Sequence, residues 1–181
     1  MLLFVFYSLV FVLGVLSMGF QLLASRLLNP HFGSSIIVWA WLISTFLAAF
    51  SLGSICGGWI SNLPARRRAR ARAITACLGV ASLALTAFLG RNLLGWLELH
   101  LTNMNTGLLV SCAALFFVPV TSLSTFGPQC VQFLASRGRA PGQSSGLIYG
   151  VSTIGNIGGV MLTAFIFIPR FPVSALLHIW L

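Results

Sequence analysis

Residues 36–72 read IIVWAWLISTFLAAFSLGSICGGWISNLPARRRARAR. No charged side chain occurs from Ile36 to Ala65, and then five arginines (Arg66, Arg67, Arg68, Arg70, Arg72) fall within seven positions. An uncharged apolar run of this length, wound as a helix rising about 1.5 Å per residue, crosses the roughly 30 Å of a bilayer's hydrocarbon. A basic cluster directly behind it marks the polar edge of a span. The stretch therefore reads as a membrane helix over about 35–60, followed by a basic loop through Arg72.

The rest of the chain repeats the pattern. Of 181 residues, 58% are hydrophobic and 6% are charged, against about 25% charged in an ordinary soluble domain. Spans are expected at about 2–24, 35–60, 73–90, 107–134 and 145–168. The apolar run beginning at Pro172 has room for about 15 Å of helix before Leu181, so 172–181 reads as a partial sixth span of a longer bundle. The expected fold is all-α, a single polytopic transmembrane bundle of five full spans plus that partial sixth. The N-terminal MLLFVFYSLVFVLGVLSMGF has no basic leader and no clean small-residue cleavage site, so it reads as a retained first span rather than a signal peptide.

Three prolines shape the expectations most. Asn29-Pro30 should end the first span, because a residue before proline is pushed out of helical geometry. Pro119 and Gly127-Pro128 should kink or break the fourth. The polar segment 91–106 (RNLLGWLELHLTNMNT) reads as a short interfacial helix, with Leu93, Leu94, Leu97 and Leu101 on one face. Glu98 and Arg91, two helical turns apart, would make a surface pair of little worth.

The charge is lopsided: ten arginines and a single acid, Glu98, for a net +9. The arginines sit in short connections and not in a soluble module, which excludes a nucleic-acid partner and points to lipid. If all five spans cross, seven arginines lie on one side (Arg66, Arg67, Arg68, Arg70, Arg72, Arg137, Arg139) and three on the other (Arg26, Arg91, Arg170). The positive-inside rule then makes the seven-arginine side, and with it the N-terminus, cytoplasmic. The partners this implies are the bilayer itself and its anionic headgroups. Four scattered cysteines (Cys56, Cys77, Cys112, Cys130) and three scattered histidines (His31, His100, His178) form no metal-ligand spacing, so no metal and no cofactor is expected.

Small residues recur four apart in two spans: Gly53 and Gly57, with Ser54 and Gly58, in the second; Gly146 and Gly150, then Gly155 and Gly159, in the fifth. This spacing makes a groove that lets helix backbones approach. Polar residues inside the apolar runs are the other candidates for function. Gln21 and Ser25 share a face of the first span, Arg26 lies just beyond them, and Asn156 interrupts the fifth. Ser44, Thr45, Gln129, Gln132, Tyr149, Ser152 and Thr153 are further candidates for lining a cavity. Gln129 and Gln132, just after Pro128, have a competing role in capping backbone groups freed by the proline.

GGWISNLPARRRA, residues 57–69, resembles the signature loop between spans two and three of major facilitator transporters. Gly58, Asn62, Arg66, Arg67 and Arg68 fill its positions, with Asn62 where an acid is usual and Leu63 where a basic residue is usual. RLLNPHFGSSIIVWAWLISTFLAAFSLGSICGGWIS together with GLIYGVSTIGNIGGVMLTAFIFIP is similar to the membrane domain of fused spermidine synthase-like proteins, a facilitator-like bundle that precedes a soluble aminopropyltransferase domain. The likeness covers most of 14–62 and 125–170. It implies half of a major facilitator fold in a bacterial inner membrane; Arg26 matches a family position, and Gln21 stands where the family often has an acid.

The soluble catalytic domain has no counterpart here: there is no glycine-rich nucleotide loop after a strand and no acidic pair for a polyamine. The chain is therefore not expected to be an enzyme. Three functions stay open: a domain that moves or senses a small solute, an anchor or scaffold for a fused or separate enzyme domain or a second membrane half, and a truncated remnant. With one carboxylate in the whole chain, a polyamine path through these spans is disfavoured.

Overall fold

The computed structural model describes residues 2–101, 103–173 and 175–176. It is 91% helical, with no strand among the described residues. Five long helices account for it: α1 (Leu2–Phe32), α2 (Ile36–Ser61), α3 (Ala65–His100), α4 (Met104–Ala135) and α5 (Pro141–Arg170). Their mean hydropathies run from 1.8 to 2.3. Even the shortest, with 26 residues, is roughly 39 Å long at 1.5 Å per residue and outreaches the hydrocarbon core. This is the architecture of a multi-pass membrane protein.

Contacts between helices fix the up-and-down order. Phe20 of α1 meets Phe46 of α2 with centroids 6.0 Å apart, and Phe116 of α4 completes the trio at 5.8 and 6.1 Å. The three rings anchor the main core, where α1, α2 and α4 converge. Leu27 of α1 packs at Gly90 of α3, and His31 meets Glu98 further along both helices, so α1 and α3 run parallel. On α3 and α4 the pairs Arg72–Gln129 and Thr86–Leu115 run in opposite senses. Neighbours in sequence are antiparallel, so the Arg66–Arg72 cluster shares one end of the bundle with Arg137 and Arg139.

Two close seams hold the parallel pairs. The most extensive interface joins α1 to α5. A side-chain carbon placed on Gly155 would lie 2.2 Å from the Phe11 carbonyl oxygen, one on Gly159 2.3 Å from that of Val15, and one on Gly14 2.3 Å from that of Ser152. Between α2 and α4, Gly53 faces the Thr121 carbonyl at 2.4 Å and Gly57 that of Thr125 at 2.3 Å. No side chain fits at these positions, so glycine there sets the interaxial distance. Gly58, Gly146 and Gly150 are different: nothing lies within 4 Å of a side-chain carbon placed on any of them. The packing role expected of Gly58 is therefore corrected. Gly14, on the α1 side of the seam, completes it.

Several boundaries move from their expected places. α1 continues through Pro30 to Phe32, because a proline in the last turn forfeits one hydrogen bond and Gly33, at φ 72°, caps the end by donating its N–H to the Asn29 carbonyl at 2.9 Å. The connection from α2 to α3 is only Asn62–Pro64. The five arginines belong to the first turns of α3 and not to a loop, since alanine and arginine are strong helix formers. Segment 91–100 is the far end of α3 and not a separate interfacial helix: nothing stops the helix before His100, and Leu94 and Leu97 on its inner face are buried. α4 begins at Met104 under an Asn103 cap, three residues before the expected start. The partial sixth span over 172–181, and His178 within it, fall mostly outside the described residues; of that segment, Leu176 is buried in the main core.

The prolines of α4 and α5 produce wide turns rather than breaks. A π-helical turn spans Ala113–Phe117 and ends two residues before Pro119; a second spans Thr163–Phe167 and ends two residues before Pro169. A proline ring crowds the carbonyl four residues back, and widening the turn relieves it. α4 has a further irregularity at Thr125, ahead of Gly127-Pro128.

Candidate functional site: a polar cavity between four helices

The sequence distributes hydroxyls and one amide along otherwise apolar helices, and packing gathers part of them. Ser17 of α1, Ser54 of α2, Ser124 of α4, and Tyr149, Ser152 and Asn156 of α5 line one cavity of about 260 Å³. Apolar walls from Val10, Leu13, Met18, Phe50, Leu123, Pro128 and Ile148 complete it. α3 takes no part. The cavity sits beside the irregular segment of α4, with Gly127 and Pro128 in its lining, and one of its α5 residues, Tyr149, is 53% exposed.

No charged side chain lines this space. Hydroxyls and one amide make up its polar lining. The Asn156 Oδ1 is buried and has no partner among the described residues. It lies in the α1–α5 seam, 3.2 Å from the place a side-chain carbon on Gly14 would take, and an amide oxygen held out of water without a donor costs on the order of 1–3 kcal/mol. Ser124 is less available, since its Oγ donates to the Val120 carbonyl at 2.7 Å.

The other expected site residues are placed elsewhere. Ser25 and Arg26 line a separate cleft of about 280 Å³ at the opposite end of α1 from the basic cluster, with Asn29, Ser34, Trp39 and Ile168. Ser25 Oγ there donates to the Leu22 carbonyl at 2.8 Å, and Arg26 is exposed. Gln21 is half-buried and borders neither space. The structure therefore does not assemble Gln21, Ser25, Arg26 and Asn156 into one site. Thr45 and Thr153 return their hydroxyls to Trp41 and Tyr149 carbonyls of their own helices, and Ser44 is exposed. Ser17, Ser54 and Ser124 carried no separate signal, because a lone serine in a span is ordinary until its neighbours across the bundle are known. No family model, curated protein or solved structure matches this chain.

A polar seam runs along α3 and α4. Gln129, 3% exposed, donates through Nε2 to the Thr125 carbonyl at 2.9 Å and accepts at Oε1 from Arg72 Nε at 2.5 Å. The amide thus serves the Thr125 carbonyl one turn back in its own helix and not the Ser124 carbonyl that Pro128 leaves without a donor, so the capping expected after the proline is not what Gln129 does. Ser122 Oγ donates to the Thr75 carbonyl, and Thr86 Oγ1 to that of Leu115 at 2.7 Å. At the far end Glu98 accepts from His31 Nδ1 at 2.7 Å, so its partner is His31 and not Arg91. Among the described residues no group of His, Cys, Asp or Glu is arranged to hold a metal.

Proposed function

We propose that this chain is a transporter-like membrane domain that admits a small uncharged solute carrying a hydrogen-bond donor. The observation that carries the reading is the charge-free cavity among four helices, lined by Ser17, Ser54, Tyr149, Ser152 and Asn156. Transport folds place irregular helices beside such spaces, because backbone polar groups are tolerated at membrane depth only where they line a cavity or are buried in protein. α4 supplies that irregularity at Thr125–Pro128. The likeness to facilitator-type bundles fits this reading, with the basic end cytoplasmic in a bacterial inner membrane. A multiply charged polyamine does not fit, since no carboxylate lines the cavity to offset its desolvation.

The test is flux into proteoliposomes containing the purified chain, using a panel of small uncharged amides and polyols beside spermidine. Uptake of an uncharged solute that Asn156→Leu abolishes, with helicity and melting unchanged, is the expected result. Spermidine flux, or no flux of any uncharged member, defeats the reading.

A second reading, an anchor for a fused or separate enzyme domain or for a second membrane half, is favoured by the surface of α3. Ile74, Leu78, Val80, Leu85, Phe88 and Leu89 are exposed along it, and Arg66, Arg67 and Arg70 face outward at its start. Loss of a co-purifying partner on replacing those three arginines by Gln would support it.

A further inference from the structure

The five arginines that open α3 are not equivalent. Arg66, Arg67 and Arg70 are exposed, whereas Arg68 and Arg72, one turn apart on the same face, are half-buried. Both turn toward the end of α4, where they line a cavity of about 150 Å³ with Gln132, Phe133 and Ser136. Arg68 Nη1 gives one hydrogen bond to the Ser61 carbonyl at 3.4 Å, and Arg72 Nε gives one to Gln129. A guanidinium has five N–H donors, so most of this donor capacity is unspent.

The two cations also lack a counter-charge. Glu98 is the one acidic side chain in the sequence, and it is held by His31 at the opposite end of the bundle. Arg137, stacked over the Phe133 ring at 4.9 Å, adds further positive charge at the rim. Two half-buried guanidiniums without a carboxylate need an anion, and their planar forks suit the oxygens of phosphate.

We infer that Arg68 and Arg72, with Gln132 and Ser136, form a discrete phosphate site between α3 and α4. This goes beyond a general attraction of a basic surface to lipid, because it assigns the binding to two of the five arginines and limits it to one phosphate group. The chemistry is shared by a phospholipid headgroup and by free phosphate, and the experiment separates them.

The chain is reconstituted in nanodiscs of phosphatidylcholine with a minority of phosphatidylglycerol, and retained lipids are counted by native mass spectrometry, with and without inorganic phosphate. Arg68→Gln/Arg72→Gln is compared with Arg66→Gln/Arg67→Gln. The expected result is one retained phosphatidylglycerol in the unmodified chain and the 66/67 variant, with occupancy about tenfold lower in the 68/72 variant. Retention of inorganic phosphate in place of lipid, lost in the same variant, supports the site and names free phosphate as its source. Equal losses in both double variants, or no retained anion in the unmodified chain, overturn it. Since Arg72 also holds Gln129, Arg68→Gln alone and Arg68→Lys/Arg72→Lys serve as further variants. The first should lower occupancy while leaving the Arg72–Gln129 contact, and the second should keep the charge but lose the forked contact and most of the occupancy.

Discussion

The hydroxyl of Thr86 on α3 donates to the carbonyl of Leu115 on α4, 2.7 Å away and 29 residues later in the chain. Leu115 stands four residues before Pro119, so its carbonyl is the one an ordinary residue at 119 would have served. A neighbouring helix thus repairs the backbone of the kinked one. Thr86 also keeps a contact to the Ser82 carbonyl of its own helix at 3.0 Å.

Removing that hydroxyl should be costly where removing others is not. Thr86→Val should lower stability by about 1 kcal/mol, and Thr86→Ser by much less, because a Ser hydroxyl reaches the same carbonyl. Reversible unfolding in mixed detergent micelles measures both. An equal effect of the two would show that methyl packing, and not the hydrogen bond, is what matters.

The glycine seams predict a position-specific pattern. Gly155→Ala and Gly57→Ala force a methyl onto a carbonyl oxygen 2.2 and 2.3 Å away and should each cost about 1–3 kcal/mol. Gly58→Ala and Gly150→Ala meet open space and should be neutral or slightly stabilising, since alanine favours helix over glycine by about 1 kcal/mol. Melting temperatures of the four variants decide it; a drop at Gly150 equal to that at Gly155 would contradict the seam.

The pairing of His31 with Glu98 sits at an exposed end, with Glu98 52% exposed. Glu98→Gln should therefore change stability by less than about 1 kcal/mol. A loss well above that, read from the same unfolding curves, would mean the pair is shielded by a partner or by lipid.

Sidedness is open to direct mapping. In a background with the native cysteines replaced, single cysteines at Ser136 and Ser34 should react with a membrane-impermeant reagent from opposite faces, Ser136 from the cytoplasmic one. Labelling of both from one face would refute the alternating order of α1 to α5.

Much of this architecture was legible in the sequence because membrane spans announce themselves by uncharged length alone. The stretch 36–61 and the cluster behind it could hardly be read otherwise. The boundaries moved where local signals met tertiary ones: Pro30 looked terminal but falls in a last turn that Gly33 caps, and the Arg66–Arg72 run looked like a loop although its composition favours helix. Spacing of small residues identified Gly53, Gly57, Gly155 and Gly159 but admitted Gly58 equally, since periodicity shows that a face exists and not what lies against it. Asn156 stood out as an amide in an apolar run. Its companions Ser17, Ser54 and Ser124 come from three other helices, and no one-dimensional pattern joins them. Gln21 and Arg26, five residues apart on α1, do not join Asn156: Arg26 lines a different cleft and Gln21 borders neither space.

The separation of charge between the ends of the bundle has an electrical consequence. With five alternating spans, side chains at one end carry seven positive charges and those at the other three positive and one negative. The ends differ by five charges. Moving an elementary charge through a membrane potential is worth about 2.3 kcal/mol per 100 mV, so the two possible orientations differ by about 11 kcal/mol at that voltage. A membrane energised negative inside thus favours, by itself, the orientation that puts the arginine-rich end inside, and the protein would sit in that field as a dipole.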